Sequence, residues 1–207
     1  MYIFGRTRTA APAHTRAAMT IAVEAVERAK QVMGIEVYAW TTLWSPGVGG
    51  ILWSTRVQSL EELRTATEKW GADGPTMDWI EQNDHVFEGP TNDVLTEVIH
   101  GAPTGEPGPF VTTVQAQWAP GKAAEAVAVG VEISDTFARL TGRSPIFGRS
   151  VTGPFAGVGW ITSFPDLAAV EAGDAATNVD AGWQELLDRA SLCYLPGPTV
   201  TMLRRLA

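Results

Sequence analysis

Cysteine and histidine are nearly absent from this chain of 207 residues, which holds one cysteine, Cys193, and three histidines. A single thiol excludes an internal disulfide and every multi-cysteine metal site. No two of His14, His85 and His100 stand four residues apart, as a helical zinc pair requires. The sequence therefore predicts no metal centre. Basic residues are also scarce, 15 Lys and Arg against 23 Asp and Glu, for a net charge of −8. That balance argues against nucleic acid or an anionic membrane as partner, since both need a basic face. No run approaches the roughly 20 consecutive apolar residues that cross a bilayer. The opening MYIFGRTRTAAPAH reaches arginine too early for a signal peptide and reads as a strand. A soluble cytoplasmic protein is expected. There is no G-x-S-x-G elbow, and Cys193 has no base beside it in sequence, so neither nucleophile motif is present. The glycine-rich 47–50 precedes a strand, which makes it a turn and not a phosphate cradle.

What the chain does have is an internal repeat. Pro12 and Pro120 are separated by 120 − 12 = 108 positions, as are Gly34 and Gly142. Gly89-Pro90-Thr91 recurs at the same offset as Gly197-Pro198-Thr199, and one residue closer Trp53 answers to Trp160 and Leu60 to Leu167. Between Pro12 and Gly34 a helical stripe runs through Ala18, Ile21, Ala22, Ala25, Ala29 and Val32, and the second copy repeats it from Ala126 to Leu140. Glu24 and Glu132 sit on the opposite, solvated face. Strands are expected at 2–9, 35–44, 49–57 and 94–100, and again at 110–118, 144–152, 157–164 and 199–205. Helices are expected at 13–33, 60–70 and 76–83, then 121–141, 167–176 and 181–191, with Ser59 and Asp166 as N-caps.

Each half thus reads β-α-β-β-α-β, the ferredoxin-like arrangement, over 1–101 and 110–207 with a Pro/Gly linker at 102–109. A sheet with helices on one face needs a cover on the other, and a second such sheet supplies it. The fold expected is α+β: tandem ferredoxin-like repeats forming an intrachain two-unit α+β barrel. As a fused pair it is compatible with a monomer or a homodimer.

That doubled topology, with GILWSTRVQSLEEL and GWITSFPDLAAV as third strands running into capped helices and DWIEQ and GWQEL as aromatic-led short helices, resembles the dimeric α+β barrel superfamily. Within it the chain is most similar to tandem NIPSNAP and antibiotic-biosynthesis-monooxygenase types. The resemblance implies a cofactor-independent monooxygenase, cyclase or isomerase acting on an aromatic or polyketide-like substrate, in which the substrate anion gives oxygen its first electron. Haem handling and a non-catalytic binding module are the alternatives it leaves open.

Strand residues are the candidates for such a site. Alternation places Tyr2, Phe4, Arg6 and Arg8 on one face of the first strand, and Tyr38, Trp40 and Trp44 on one face of the second. Trp53 and Trp160 hold matching places on the third. These aromatics are either core or the walls of a cavity holding a flat, apolar ligand while arginine fixes an anionic oxygen. On the second helix, Leu60, Leu63, Thr67 and Trp70 correspond to Leu167, Val170, Asp174 and Thr177. Either Asp174 opens a polar pocket in the second copy or the helix frays at Gly173 and Asp174 points outward. The site expected from these residues has Arg6, Asp174 and Arg149 as catalytic groups. Trp53, Trp160, Tyr38, Gln115 and His100 would bind a small aromatic or hydrophobic ligand without a cofactor. His100 is also the one strand histidine that could serve a haem.

Overall fold

The computed structural model describes residues 1–45, 49–103 and 105–207. The turn expected at 47–50 and Thr104 of the expected linker therefore fall partly or wholly outside the described residues. The chain runs β1 (Tyr2–Ala10), α1 (Thr15–Met33), β2 (Val37–Leu43), β3 (Gly50–Val57), α2 (Leu60–Ala72), α3 (Gly74–Asn83) and β4 (Phe87–His100). It then repeats the pattern as β5 (Phe110–Gln117), α4 (Ala123–Thr141), β6 (Ile146–Ser150), β7 (Gly157–Phe164), α5 (Leu167–Asn178), α6 (Ala181–Ser191) and β8 (Thr199–Arg205). The fold is α+β, and the hydrogen-bonded strand order β1-β3-β2-β8-β5-β7-β6-β4 closes into a barrel. Contacts divide the chain into unit 1, Met1–Leu95 with Leu203–Ala207, and unit 2, Thr96–Met202. The chain passes from one unit to the other inside β4 and again inside β8. No described helix is long and apolar enough to cross a membrane.

The long helices form where the periodicity puts them. Gly34 and Gly142 end α1 and α4 with φ of 73° and 69°, a left-handed conformation that costs glycine nothing. The buried stripe is Ala18, Ile21, Ala22, Val26 and Ala29 on α1 and Ala126, Gly130 and Ser134 on α4, and its many small residues let helix and sheet approach closely. The caps hold too. Ser59 accepts a hydrogen bond from the Glu62 amide at 3.1 Å, while the Glu62 carboxylate accepts from the Gln58 amide at 2.7 Å. Ser59→Ala is expected to destabilise the protein by about 1 kcal/mol in urea unfolding, and Ser59→Asp to restore most of that loss.

Two elements differ from expectation. The strand expected at 94–100 begins at Phe87 and runs through Gly89 and Pro90. Residues 88–93 are exposed and Gly89 has φ of 69°, so this stretch accommodates residues that punctuate a buried strand. The buried stripe of the second helix is also displaced by one position. It runs Leu63, Ala66 and Trp70 on α2 and Val170, Gly173 and Thr177 on α5, leaving Thr67, Asp174 and Leu60 exposed.

Strand registers show how alike the two copies are. In unit 1, Arg6 pairs with Trp53 and Trp53 with Ala39. In unit 2, Val114 pairs with Trp160 and Trp160 with Phe147. These are the same rows at the sequence offsets of the repeat, so the paired strand positions of one unit have assignable counterparts in the other.

Candidate functional site

In an antiparallel pair, residues directly opposite one another lie on the same face of the sheet. The registers therefore sort each side chain onto the face under the helices or onto the far face, and the tryptophans show which is which. The indole of Trp53 donates to the Ala22 carbonyl of α1 at 3.1 Å, and that of Trp160 donates to the Gly130 carbonyl of α4 at 3.0 Å. Trp160, only 7% exposed, stacks on Phe147 with ring centroids 5.0 Å apart and meets Tyr194 edge-on at 5.6 Å. Trp53 packs edge-on against Phe87 at 5.8 Å. Both indoles are spent on the helix–sheet core and line no cavity of the far face.

Most of the expected site residues share that helix face. Arg6, opposite Trp53, forms a two-pronged ion pair with Asp93 at 2.8 and 2.7 Å. Arg149 pairs with Glu97 at 2.7 Å, and His100 Nε2 lies 2.8 Å from Asp135 Oδ1 on α4. Each of these groups is engaged with a carboxylate beside the helices. The Asp93 hydrogen bond raises the Arg6 pKa further, so Arg6 carries a fixed positive charge. Asp174 is exposed on α5 because Gly173 takes the inward place, 3.7 Å from Phe164 Cε1 by the position its Cβ would occupy. Trp44 lies past the end of β2, exposed, with φ of 43°. Tyr194 donates its hydroxyl to the Ala126 carbonyl, and burial pushes its pKa up, away from any role as a base near neutrality. Among the described residues no group of three or more His, Cys, Asp or Glu is arranged to hold a metal ion.

Of the expected site residues only Tyr38 and Gln115 reach the far face, Tyr38 in unit 1 and Gln115 in unit 2. In unit 1 the far face carries Ile3, Gly5 and Thr7 on β1, Leu52, Ser54 and Arg56 on β3, and Tyr38 and Trp40 on β2. The Arg56 guanidinium carbon lies 5.8 Å from the Tyr38 ring centroid, within cation–π range. The Tyr38 and Trp40 rings lie 6.3 Å apart, tilted by 52°, and the Trp40 indole donates to Ser54 Oγ at 2.8 Å. Trp40 is 4% exposed, whereas Tyr38 and Arg56 are half-buried, so the set runs from a half-buried cation to a buried, hydrogen-bonded indole. Gly5 stands opposite Ser54, and the Leu52 side chain covers it, with Cδ1 3.2 Å from where a Cβ would be.

Row by row, the two copies part company at this set. On the helix face the third strands stay alike, with Ile51, Trp53 and Thr55 matched by Val158, Trp160 and Thr162, while their neighbours change, Arg6 to Val114 and Ala39 to Phe147. The far face keeps none of the polar and aromatic groups: Tyr38, Trp40, Ser54 and Arg56 correspond to Ile146, Gly148, Ile161 and Ser163. Ser54 and Arg56 are the members that sequence reasoning misses. The signal for them is parity, since Arg56 stands three residues from Trp53 and so on the other side of β3.

No protein-family model and no curated protein matches the sequence. Solved structures do. A candidate monooxygenase from Fusobacterium nucleatum superposes with a TM-score of 0.74 at 11% identity, covering 100% of this chain and 92% of that one. The chain has the dimeric α+β barrel fold, with both units in one polypeptide. Two further structures with this barrel fold are an anthrone oxidase-like protein (TM-score 0.66, 15% identity, 99% and 90% covered) and a candidate monooxygenase from Lactobacillus acidophilus (0.64, 13%, 100% and 94%). At these identities the likeness is one of fold alone.

Proposed function

We propose that this protein is a small-molecule enzyme of monooxygenase type, acting without a cofactor on a phenolic or enolisable aromatic ketone held by the far face of unit 1. The carrying observation is the Tyr38–Arg56 pair beside the Trp40–Ser54 hydrogen bond, a set with no counterpart in unit 2. A flat aromatic substrate lies against Tyr38, and Arg56 holds the oxygen that becomes anionic. Ser54, already accepting from Trp40, keeps its hydroxyl hydrogen to donate to the same ligand. The names of the barrel neighbours, two candidate monooxygenases and an anthrone oxidase-like protein, support the reaction class.

The chemistry balances for an anthrone-type substrate. Loss of one C–H proton gives the enolate, whose oxygen Arg56 stabilises. The enolate passes one electron to O2, the resulting pair combines at the same carbon, and protonation gives a hydroperoxide. Loss of water from it breaks the O–O bond and forms the new C=O. One O2 is consumed per quinone formed, and its second oxygen atom leaves as water.

Oxygen uptake with anthrone tests this reading. The expected result is enzyme-dependent uptake well above the rate without protein, one O2 per quinone, no hydrogen peroxide, and no sensitivity to chelators. Uptake no faster than the uncatalysed reaction would refute it.

A further inference from the structure

The far face of unit 2 is built from different material. It carries Val111, Thr113, Gln115 and Gln117 on β5, Gly157, Gly159 and Ile161 on β7, Ile146, Gly148 and Ser150 on β6, and Thr96 and Val98 on β4. None of these residues is charged, in a protein of net charge −8. A sheet face left to solvent ordinarily alternates in charged side chains, and a face packed as core has its polar groups satisfied. This one does neither. The side-chain amides of Gln115, which is exposed, and of Gln117, which is half-buried, have no hydrogen-bond partner among the described residues. Their counterparts in unit 1 are Thr7 and Thr9, so the two amides are particular to unit 2.

We infer that this face is a second ligand site, which takes a neutral, planar molecule bearing carbonyl or hydroxyl oxygens. Two amides at i and i+2 project side by side about 7 Å apart, a spacing that suits oxygens on opposite edges of one fused-ring system. Each amide both donates and accepts, so it satisfies a carbonyl or a hydroxyl without needing a charge on the ligand. Beside Gln115 the row continues through Gly159 and Gly148. At Gly159 a notional Cβ would lie 3.1 Å from the Val114 carbonyl oxygen and 3.9 Å from Gln115 Cγ, so among the described residues the Gln115 side chain is the only one that reaches over the backbone there. Gly148 is fixed by crowding instead, since a Cβ would come within 2.5 Å of Thr96 Cγ2. Val111, Ile146, Ile161 and Val98 supply the apolar surround and Ser150 and Thr113 further hydroxyls, the composition of a small-molecule pocket. An anion would find no cation among these residues, which separates this site from that of unit 1. The second site does not depend on the oxygenase reading and survives its failure.

The test is a visible-absorption titration of the full-length protein with quinizarin, a neutral dihydroxyanthraquinone, at a pH below the ionisation of its phenols. Wild type is expected to bind saturably, and Gln115→Leu/Gln117→Leu to bind at least about tenfold more weakly for two lost hydrogen bonds. Gln115→Glu, which keeps the size but replaces the donor with a negative charge, is expected to weaken binding as well, so the result does not depend on the leucine variant folding. The side-chain amide NMR signals of both glutamines should shift as quinizarin is added. Absence of saturable binding, equal binding by the Gln115→Leu/Gln117→Leu and Gln115→Glu variants, or weakening by Arg56→Leu alone would each overturn the assignment.

Discussion

Trp160→Ala is expected to destabilise the protein by about 3–5 kcal/mol, a larger loss than Trp53→Ala or removal of the Ser59 cap. The indole is buried, stacked on Phe147 at 5.0 Å, edge-on to Tyr194 at 5.6 Å, and bonded to the Gly130 carbonyl at 3.0 Å. Deleting it leaves a void whose floor is glycine. Gly130 has no side chain to move in, and the Phe147 ring that fills its place sits 2.3 Å from where its Cβ would be. The neighbours therefore cannot collapse into the space, the condition under which cavity costs are greatest. Trp53→Ala removes the same hydrogen bond from the other copy, but Trp53 is only half-buried and its carbonyl partner, Ala22, carries a methyl group. Its cost should be smaller by at least about 1 kcal/mol. Urea unfolding followed by far-UV circular dichroism measures both. A Trp160→Ala loss below that of Trp53→Ala would contradict the core assigned to unit 2.

That pair of tryptophans also marks where the sequence stops being legible. Their offset of one residue from the Pro12–Pro120 spacing is readable, and so are the helices between Pro12 and Gly34 and between Pro120 and Gly142. Those features are set locally, by 3.6-residue periodicity, by side-chain caps such as Ser59 and Asp166, and by a glycine at the left-handed end of each long helix. Alternation is equally readable. Tyr2, Phe4, Arg6 and Arg8 do share a face, as do Tyr38 and Trp40. What alternation cannot supply is the sign, namely which of the two faces lies under the helices. That is decided by pairing with other strands, a non-local matter, and an aromatic residue suits either face. Residue type alone therefore groups Arg6, Trp53, Trp160 and Arg149 with Tyr38 and Gln115, although they lie on opposite faces. The run Ile51, Trp53, Thr55 and Val57 holds a clue, because three of its four members are apolar and its alternates include Ser54 and Arg56. The second helix misleads for a related reason. Stripes through Ala66 or Thr67, and through Gly173 or Asp174, differ by one position, and small residues give a hydrophobic pattern too little contrast to choose between them.

Arg56→Leu is the substitution expected to cost the proposed reaction most, lowering kcat/KM for anthrone oxidation by about 100- to 1,000-fold while leaving the fold intact. The guanidinium is half-buried on the far face, beside the Tyr38 ring, where part of the surrounding water has been replaced by aromatic surface. A cation in such a place lowers the pKa of a bound phenol or enol, because an opposite charge favours the ionised form. Removing it raises that pKa again, so the acidic limb of the pH–rate profile moves to higher pH in the variant. A merely structural arginine would lower the rate without moving the limb. Arg56→Lys keeps the charge but not the planar fork, and should recover part of the rate and most of the pH shift. Arg6→Leu and Arg149→Leu provide the contrast. Both lose exposed ion pairs, with Asp93 and Glu97, on the helix face, and both should stay within about twofold of wild type. Were Arg56→Leu to oxidise anthrone at a rate close to wild type, or Arg6→Leu to lose more than it does, the chemistry would belong to the helix face after all.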